Sequence, residues 1–437
     1  MIASAPLVMA AYMRQKLATV FTSAILGTSV GSCATAGQGQ PGDDAGGSME
    51  GATSSGSSSG GGGASSGSSG GAGGSSGGTS SSSGSGPDAS TAGADSGGSS
   101  SGGGRPGTAD GGRDATGAAE GGTPGWTCPA GPFGAPIPAG ATAVKVAGLP
   151  PSDTFNNTLY NFTSIEGPVW IGDALYVSEY PGNPNPPPSR ILKVTSAGVV
   201  SIAVADSGSN GLAVDKNGIL FGAVHEDGSI SRFDLSAGMR VLPSVVSSYM
   251  GSRFNSPNDL AIRSDGTVYF SDPNFQAPSP APQTATRVYR YTPSTSTLSV
   301  VDAMLTQPNG VTLSLDESTL YVSSNNGLQK YAVMPDGSTG PGSAFALAPN
   351  AMLNIDGMAI DCAGNLYGAV IGTANVVVLS PTGAQIGALF SVPTTSGWVT
   401  NLAFGGDDHK TLYITTQGSS GSQGLYTVAA SIPGMPY

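Results

Sequence analysis

The sequence predicts an all-β protein, a six-bladed β-propeller. A motif recurs at nearly even spacing, each copy alternates in the way of paired strands, and no helical periodicity is present after residue 125. The motif is a polar oxygen donor, an apolar strand, a tight turn and a second apolar strand. Its copies begin 166-EGPVWIGDALYVSE, 210-NGLAVDKNGILFGAV, 258-NDLAIRSDGTVYFSD, 309-NGVTLSLDESTLYVSS, 356-DGMAIDCAGNLYGAV and 401-NLAFGGDDHKTLYIT. Successive copies start 44, 48, 51, 47 and 45 residues apart. A four-stranded unit repeated every 40 to 50 residues is the pattern of a propeller blade.

Each element follows from local chemistry. In the third copy, Leu260 and Ile262, then Val268 and Phe270, fall on one face under a two-residue period. Between them, Ser264-Asp265-Gly266 supplies the side-chain oxygen and the conformational freedom a hairpin turn needs. Weaker strands such as 286-TRVYRYT-292 and 297-TLSVVDA-303 complete the blade. The early segment 141-ATAVKVAGL-149 is expected to add a strand to the last blade and so close the ring through both chain ends.

The domain plan is equally legible. Residues 1–33 read as an export signal: Arg14 and Lys16 precede an apolar stretch from Leu17 to Val30, which is too short and interrupted to span a membrane. It ends in Val30-Gly31-Ser32-Cys33, a bacterial lipobox pattern in which Cys33 is acylated; an ordinary signal peptide with an incidental cysteine is the alternative. Translation starts at Met1 or at Met13. Residues 34–124 are a Gly/Ser-rich tract with almost no apolar side chains, expected to be a disordered linker. Residues 125–437 form the propeller. The expectation is therefore an exported lipoprotein of the cell envelope, monomeric, touching the membrane only through its lipid. A net charge of −12 opposes nucleic-acid binding. Apart from Cys33, only Cys128 and Cys362 remain, a pair that either forms a disulfide or stays as two buried thiols.

In a propeller the first strand of each blade lines the axis, so the residue before it lies at one mouth of the channel. Glu166, Asn210, Asn258, Asn309, Asp356 and Asn401 thus form a ring of oxygen donors. Two readings are open. Asn and Asp start strands simply because their side chains satisfy turn amides. Alternatively, the ring holds a hard divalent cation, most consistent with Ca²⁺, which favours carboxylate and amide oxygens. Glu166, a poor turn residue, favours the second.

These motifs resemble the gluconolactonase / senescence-marker-protein (regucalcin) family of six-bladed propellers. The resemblance rests on EGPVW at Glu166, SNGLAVD at Ser209, RFNSPNDL at Arg253, Ser271-Asp272-Pro273, Pro308-Asn309-Gly310-Val311 and DGMAID at Asp356. It implies a divalent metal held by Glu166, Asn258, Asn309 and Asp356, with Asn210 and Asn401 facing substrate or completing the outer shell. It further implies hydrolysis of a small lactone or related ester. Asp356 would be the acid-base residue. Asp259 is a second candidate, or else a structural contact that holds Asn258. Arg253 and His225 are candidates for substrate binding. Two segments depart from the family pattern, 225-HEDGSISR-232 and the Pro-rich 274-NFQAPSPAPQTAT-286. They leave open a phosphotriesterase-like hydrolase on the same scaffold, or a binding propeller that an ion only stabilises.

Overall fold

The computed structural model describes residues 126–146, 149, 152–155, 158–347, 350–387, 389–394, 397–419 and 423–435. The expected export signal, Cys33 and the Gly/Ser tract lie outside them. Among the described residues the protein is all-β, with one short 3₁₀ turn at Asn350–Met352.

Four antiparallel sheets of four strands stand alone. The first of these contains Ser209–Val214, Leu220–Val224, Ser229–Asp234 and Met239–Val246. The second contains Leu260–Ile262, Val268–Asp272, Arg287–Thr292 and Thr297–Asp302. The third runs from Val311–Leu313 to Ser343–Ala344, and the fourth from Ile355–Ile360 to Phe390–Ser391. A fifth sheet has nine strands. It contains the set Thr158–Ile171, Ala174–Pro181, Arg190–Thr195 and Val200–Val204. It also contains the set Trp398–Gly405, Thr411–Gln417, Leu425–Ala429 and Val144–Lys145, and a ninth short strand, Ser152–Phe155, paired with the beginning of Thr158–Ile171. A single residue pair, Ser164 with Gln417, merges the two sets.

The arrangement is therefore propeller-like, but six separate sheets are not what forms. The reason is the length of Thr158–Ile171. This 14-residue strand extends beyond Glu166 toward the chain's beginning and there meets the end of Thr411–Gln417. The N-terminal strand falls where the sequence placed it: Val144 pairs with Thr427, and Lys145 with Tyr426.

Period-two alternation sets the packing. Val268 and Phe270 point toward Ala213, Phe221 and Ile230 of the preceding sheet. Tyr269, between them, points the other way, against Val311, Leu320 and Tyr331 of the next. Every neighbouring pair of strand sets shares such an apolar layer, and the last set packs on the first through Ala403, Tyr413, Trp170 and Leu175. The stack is closed into a ring, which removes exposed faces without a helix layer. Asx turns cap the far ends of the hairpins; Asp215 and Asp361 each accept backbone N–H groups two and four residues on. Cys128 and Cys362 are joined in a disulfide across 234 residues of chain.

Candidate functional site

At the level of the six donors, no first strand is regular. Ladder register breaks between Glu166 and Val169, Ser209 and Leu212, Ile355 and Met358, and Val399 and Leu402. In the other two sets the strand begins only at Leu260 and Val311, just past Asn258 and Asn309. Irregular backbone of this kind re-aims side chains and is common beside sites.

Contacts between neighbours run around a closed circle. The Gly211 N–H donates to the Asn258 carbonyl at 2.7 Å, and the Gly310 N–H to the Asp356 carbonyl at 3.1 Å. Val311 N–H donates to Asp259 Oδ2 at 3.0 Å. The Thr400 hydroxyl donates to the Ile165 carbonyl at 2.6 Å and closes the circle. Glycine is required along this circle, at Gly211 and Gly310 and also at Gly167 and Gly357. A Cβ on Gly167 would lie 2.6 Å from the Asn210 carbonyl oxygen, and one on Gly357 would overlap the Asn401 side chain. The first strands together line a small axial cavity of about 30 Å³, walled by Pro168, Leu212, Leu260, Val311, Met358 and Leu402, with Asp259 and Asn401 among its polar walls.

All six donors are buried. Glu166 is held well above the usual carboxylate range, first by burial, then by the nearby charges of Asp356 and Asp259; the Gly167 N–H and Asn401 act in the opposite direction. Glu166 and Asp356 thus share one field across the hub although they are 190 residues apart in sequence. Burial also pushes Asp259 up to about 7, against the N–H groups of Val311 and Leu260 that it accepts.

The amides divide into two kinds. Asn401 Oδ1 is committed to the Leu402 N–H at 2.8 Å. Asn309 Oδ1 and both amide atoms of Asn210 are buried without a hydrogen-bond partner. Asn210 lies beside the Tyr180 hydroxyl, and its polarity counters the rise in that phenol's pKa, but without hydrogen-bond geometry. Buried polar atoms left unpartnered beside carboxylates fit an oxygen-seeking cation. Among the described residues no three His, Cys, Asp or Glu side chains are disposed to hold a metal. A site here would therefore draw on amides as well as Glu166 and Asp356.

The remaining candidates sit further back. Arg253 donates to the carbonyls of Phe254, Glu226 and His225 at 3.1 to 3.2 Å, clamping two neighbouring sheets. His225 is fully buried, its Nε2 sharing a hydrogen bond of 2.9 Å with Ser189 Oγ. Burial, with Arg253 acting the same way, pushes its pKa down to about 3, so the ring is neutral. Asp272 accepts the Asn255 and Ser256 N–H groups at 3.0 and 2.9 Å and shapes the turn that delivers Asn258. One residue at the site was not singled out from sequence. Tyr180, opposite Ser164 in the ladder, is buried, and its phenol feels both Glu166 and Asp356. The available signal was its place near the end of the second strand, two residues past Ser178, which is opposite Glu166 in the ladder.

Fold and site define a propeller-like protein with acid and amide groups gathered on its axis. A model of the SMP-30/Gluconolactonase/LRE-like region matches residues 166–418, and the chain belongs to that family. It is 31% identical over 275 residues to a gluconolactonase of Zymomonas mobilis, covering 57% of this chain and 75% of that one. It is 34% identical over 128 residues to a pentonolactonase of Haloferax volcanii, covering 29% of this chain and 43% of that one. Among solved structures, a gluconolactonase from Xanthomonas campestris superposes with a TM-score of 0.52 at 28% identity, covering 68% of this chain and 98% of that one. A calcium-binding regucalcin from Agrobacterium tumefaciens gives a TM-score of 0.50 at 18% identity, covering 62% and 91%, a likeness of fold alone.

Proposed function

We propose that this protein is a metal-dependent hydrolase of small lactones, built on six blades. The blade count takes the nine-stranded sheet as two four-stranded sets touching at one pair, plus the short strand Ser152–Phe155 paired to the beginning of Thr158–Ile171, with six apolar layers between neighbours. What supports the function is the electrostatic interaction of buried Glu166 with Asp356, together with the unpartnered Asn309 oxygen, in a chain whose relatives are lactonases.

Glu166, Asn258, Asn309 and Asp356 would hold the cation, and hard oxygen donors favour calcium. When bound, such an ion supplies Lewis-acid polarisation of the lactone carbonyl. The protein's own groups do the rest. Asp356 takes the proton from the attacking water as general base. Asn210, whose amide is not spent on the fold, orients the substrate's hydroxyls. Asn401 and Asp259 keep the first strands in place through backbone N–H groups. The apolar walls below the ring limit bulk water behind the reacting centre.

Two further parts of the reading come from sequence. The Val30-Gly31-Ser32-Cys33 pattern and the Gly/Ser tract after it support an exported, lipid-anchored monomer whose only membrane contact is that lipid. Mass spectrometry of the mature N-terminus tests this; an unmodified Cys33 refutes it.

The test of activity is hydrolysis of a panel of aldonolactones and aryl esters with and without chelator. Turnover should require the ion, and Asp356→Asn should abolish it. No turnover of any panel member, with a melting temperature that chelator still lowers, would make the protein a binding propeller instead.

A further inference from the structure

Tyr180 occupies a position that the site as described so far does not use. It is the last residue but one of the strand Ala174–Pro181, next to the long first strand that carries Glu166, and it lies opposite Ser164. Two residues earlier on the same face, Ser178 Oγ meets Ser209 Oγ of the next sheet at 2.7 Å, so this face looks toward Asn210. The ring is buried on that face, between the strand that carries Glu166 and the next sheet; the charges of Glu166 and Asp356 also act on the phenol, in keeping with a hydroxyl directed to the hub.

Behind it, the fold supplies a rigid support. The His225 ring meets the Tyr180 ring edge-on, with centroids 5.0 Å apart and planes at 89°. Ser189 Oγ and His225 Nε2 share their 2.9 Å hydrogen bond in full burial. The His225 carbonyl is also held by Arg253 at 3.2 Å. Three separated segments thus converge to fix one aromatic ring, which is more support than a lone packing residue needs. Edge-on contact is a preferred arrangement of aromatic rings and favours this orientation of the phenol.

We propose that Tyr180 is a catalytic residue, donating a hydrogen bond from its hydroxyl to the lactone carbonyl oxygen as that oxygen gains charge, and that His225, tied to Ser189, is the positioning residue that holds it there. This rests on the lactonase reading above. No proton is transferred: the phenol keeps its hydrogen throughout, and its contribution is electrostatic. Donors aimed at developing charge lower the barrier more than they strengthen substrate binding.

The test uses the full chain with a lactone that the wild type hydrolyses, calcium fixed. Tyr180→Phe keeps the ring and removes only the hydroxyl. Its kcat should fall about 100-fold, with KM changed less than about threefold. His225→Phe keeps an aromatic wall but loses the Ser189 bond, and its kcat should fall about 10-fold. In the double variant, His225→Phe should cost nothing further, because its effect runs through the missing hydroxyl. Melting temperatures measured alongside show that each variant is folded. A Tyr180→Phe enzyme within twofold of wild-type kcat would overturn the assignment while leaving the lactonase reading intact. An equal His225→Phe loss in both backgrounds would reduce His225 to a packing role. A wild-type protein that hydrolyses no lactone overturns both readings together.

Discussion

Breaking the Cys128–Cys362 bond should destabilise the protein strongly and leave its catalysis alone. The bond closes a loop of 234 residues. In the chain-entropy account a loop of that length lowers unfolded-state freedom by about 5 kcal/mol, near the upper end of what native disulfides contribute. For a folded region of roughly 300 residues the unfolding entropy is about 0.6 kcal/mol per kelvin, so the melting temperature should drop by about 8 °C. Activity should be spared because of where the bond sits. Cys362 follows the strand Ile355–Ile360, at the opposite end from Asp356, about 20 Å away along an extended strand. The segment it holds is also tied by the Trp126–His409 stack and by Ser431 N–H on the Pro136 carbonyl. The experiment compares the oxidised protein with a Cys128→Ser/Cys362→Ser variant by calorimetry at fixed calcium, and measures turnover at 25 °C. A melting point unchanged within about 1 °C would refute the entropic reasoning. A loss of turnover at unchanged stability would refute the separation of the two ends.

Two further outcomes follow from the hub. Glu166 is raised, and Asp259 is raised to about 7. Both folded values exceed the unfolded ones, so the stability tied to these groups is fully present at low pH and is lost as pH rises through the folded values. A bound cation offsets the repulsion, so the gap in melting temperature between calcium and chelator should widen from about pH 5 to about pH 8; parallel curves would count against a metal at these carboxylates. Gly310→Ala places a methyl group onto the Asp356 carbonyl oxygen, a backbone atom that cannot swing aside. It should cost about 1–3 kcal/mol and weaken calcium binding, measured by denaturant melts and calorimetric titration.

What sequence disclosed here was whatever repeats. Leu260, Val268 and Phe270 share a core layer because strand alternation forces them onto one face, and that alternation is visible in the letters. The donor ring was visible for the same reason: six copies of one position must meet if the wheel closes. The fusion of two strand sets depends on a single pair at Ser164, an outcome of strand length that no repeat encodes. Tyr180 has no counterpart in the repeat pattern, so periodicity passed over it. Asp259 shows the limit from the other side. Its carboxylate reads as a base from its neighbour Asn258, yet both its oxygens accept backbone N–H groups, one from the next sheet.

Arg253 makes the same point in a form that can be measured. Beside a donor ring an arginine suggests a hand for a substrate oxygen. Its guanidinium is instead turned onto the carbonyls of Phe254, Glu226 and His225, with Asn255 at 3.5 Å. Gly228 leaves the room for this: a Cβ there would lie 2.6 Å from Arg253 Nε. A planar fork bridging two sheets cannot be replaced by a point charge, so Arg253→Lys should leave several carbonyls poorly paired. Hydrogen bonds from charged donors contribute about 1.5–3 kcal/mol each. Even partial rescue by lysine should therefore cost about 2 kcal/mol, or about 3 °C in melting temperature. KM should stay within about twofold of wild type, because the group that left was not facing the substrate. The opposite pattern, a raised KM at unchanged stability, would mean that the guanidinium releases those carbonyls to reach the lactone, and that the clamp seen here is not its working position.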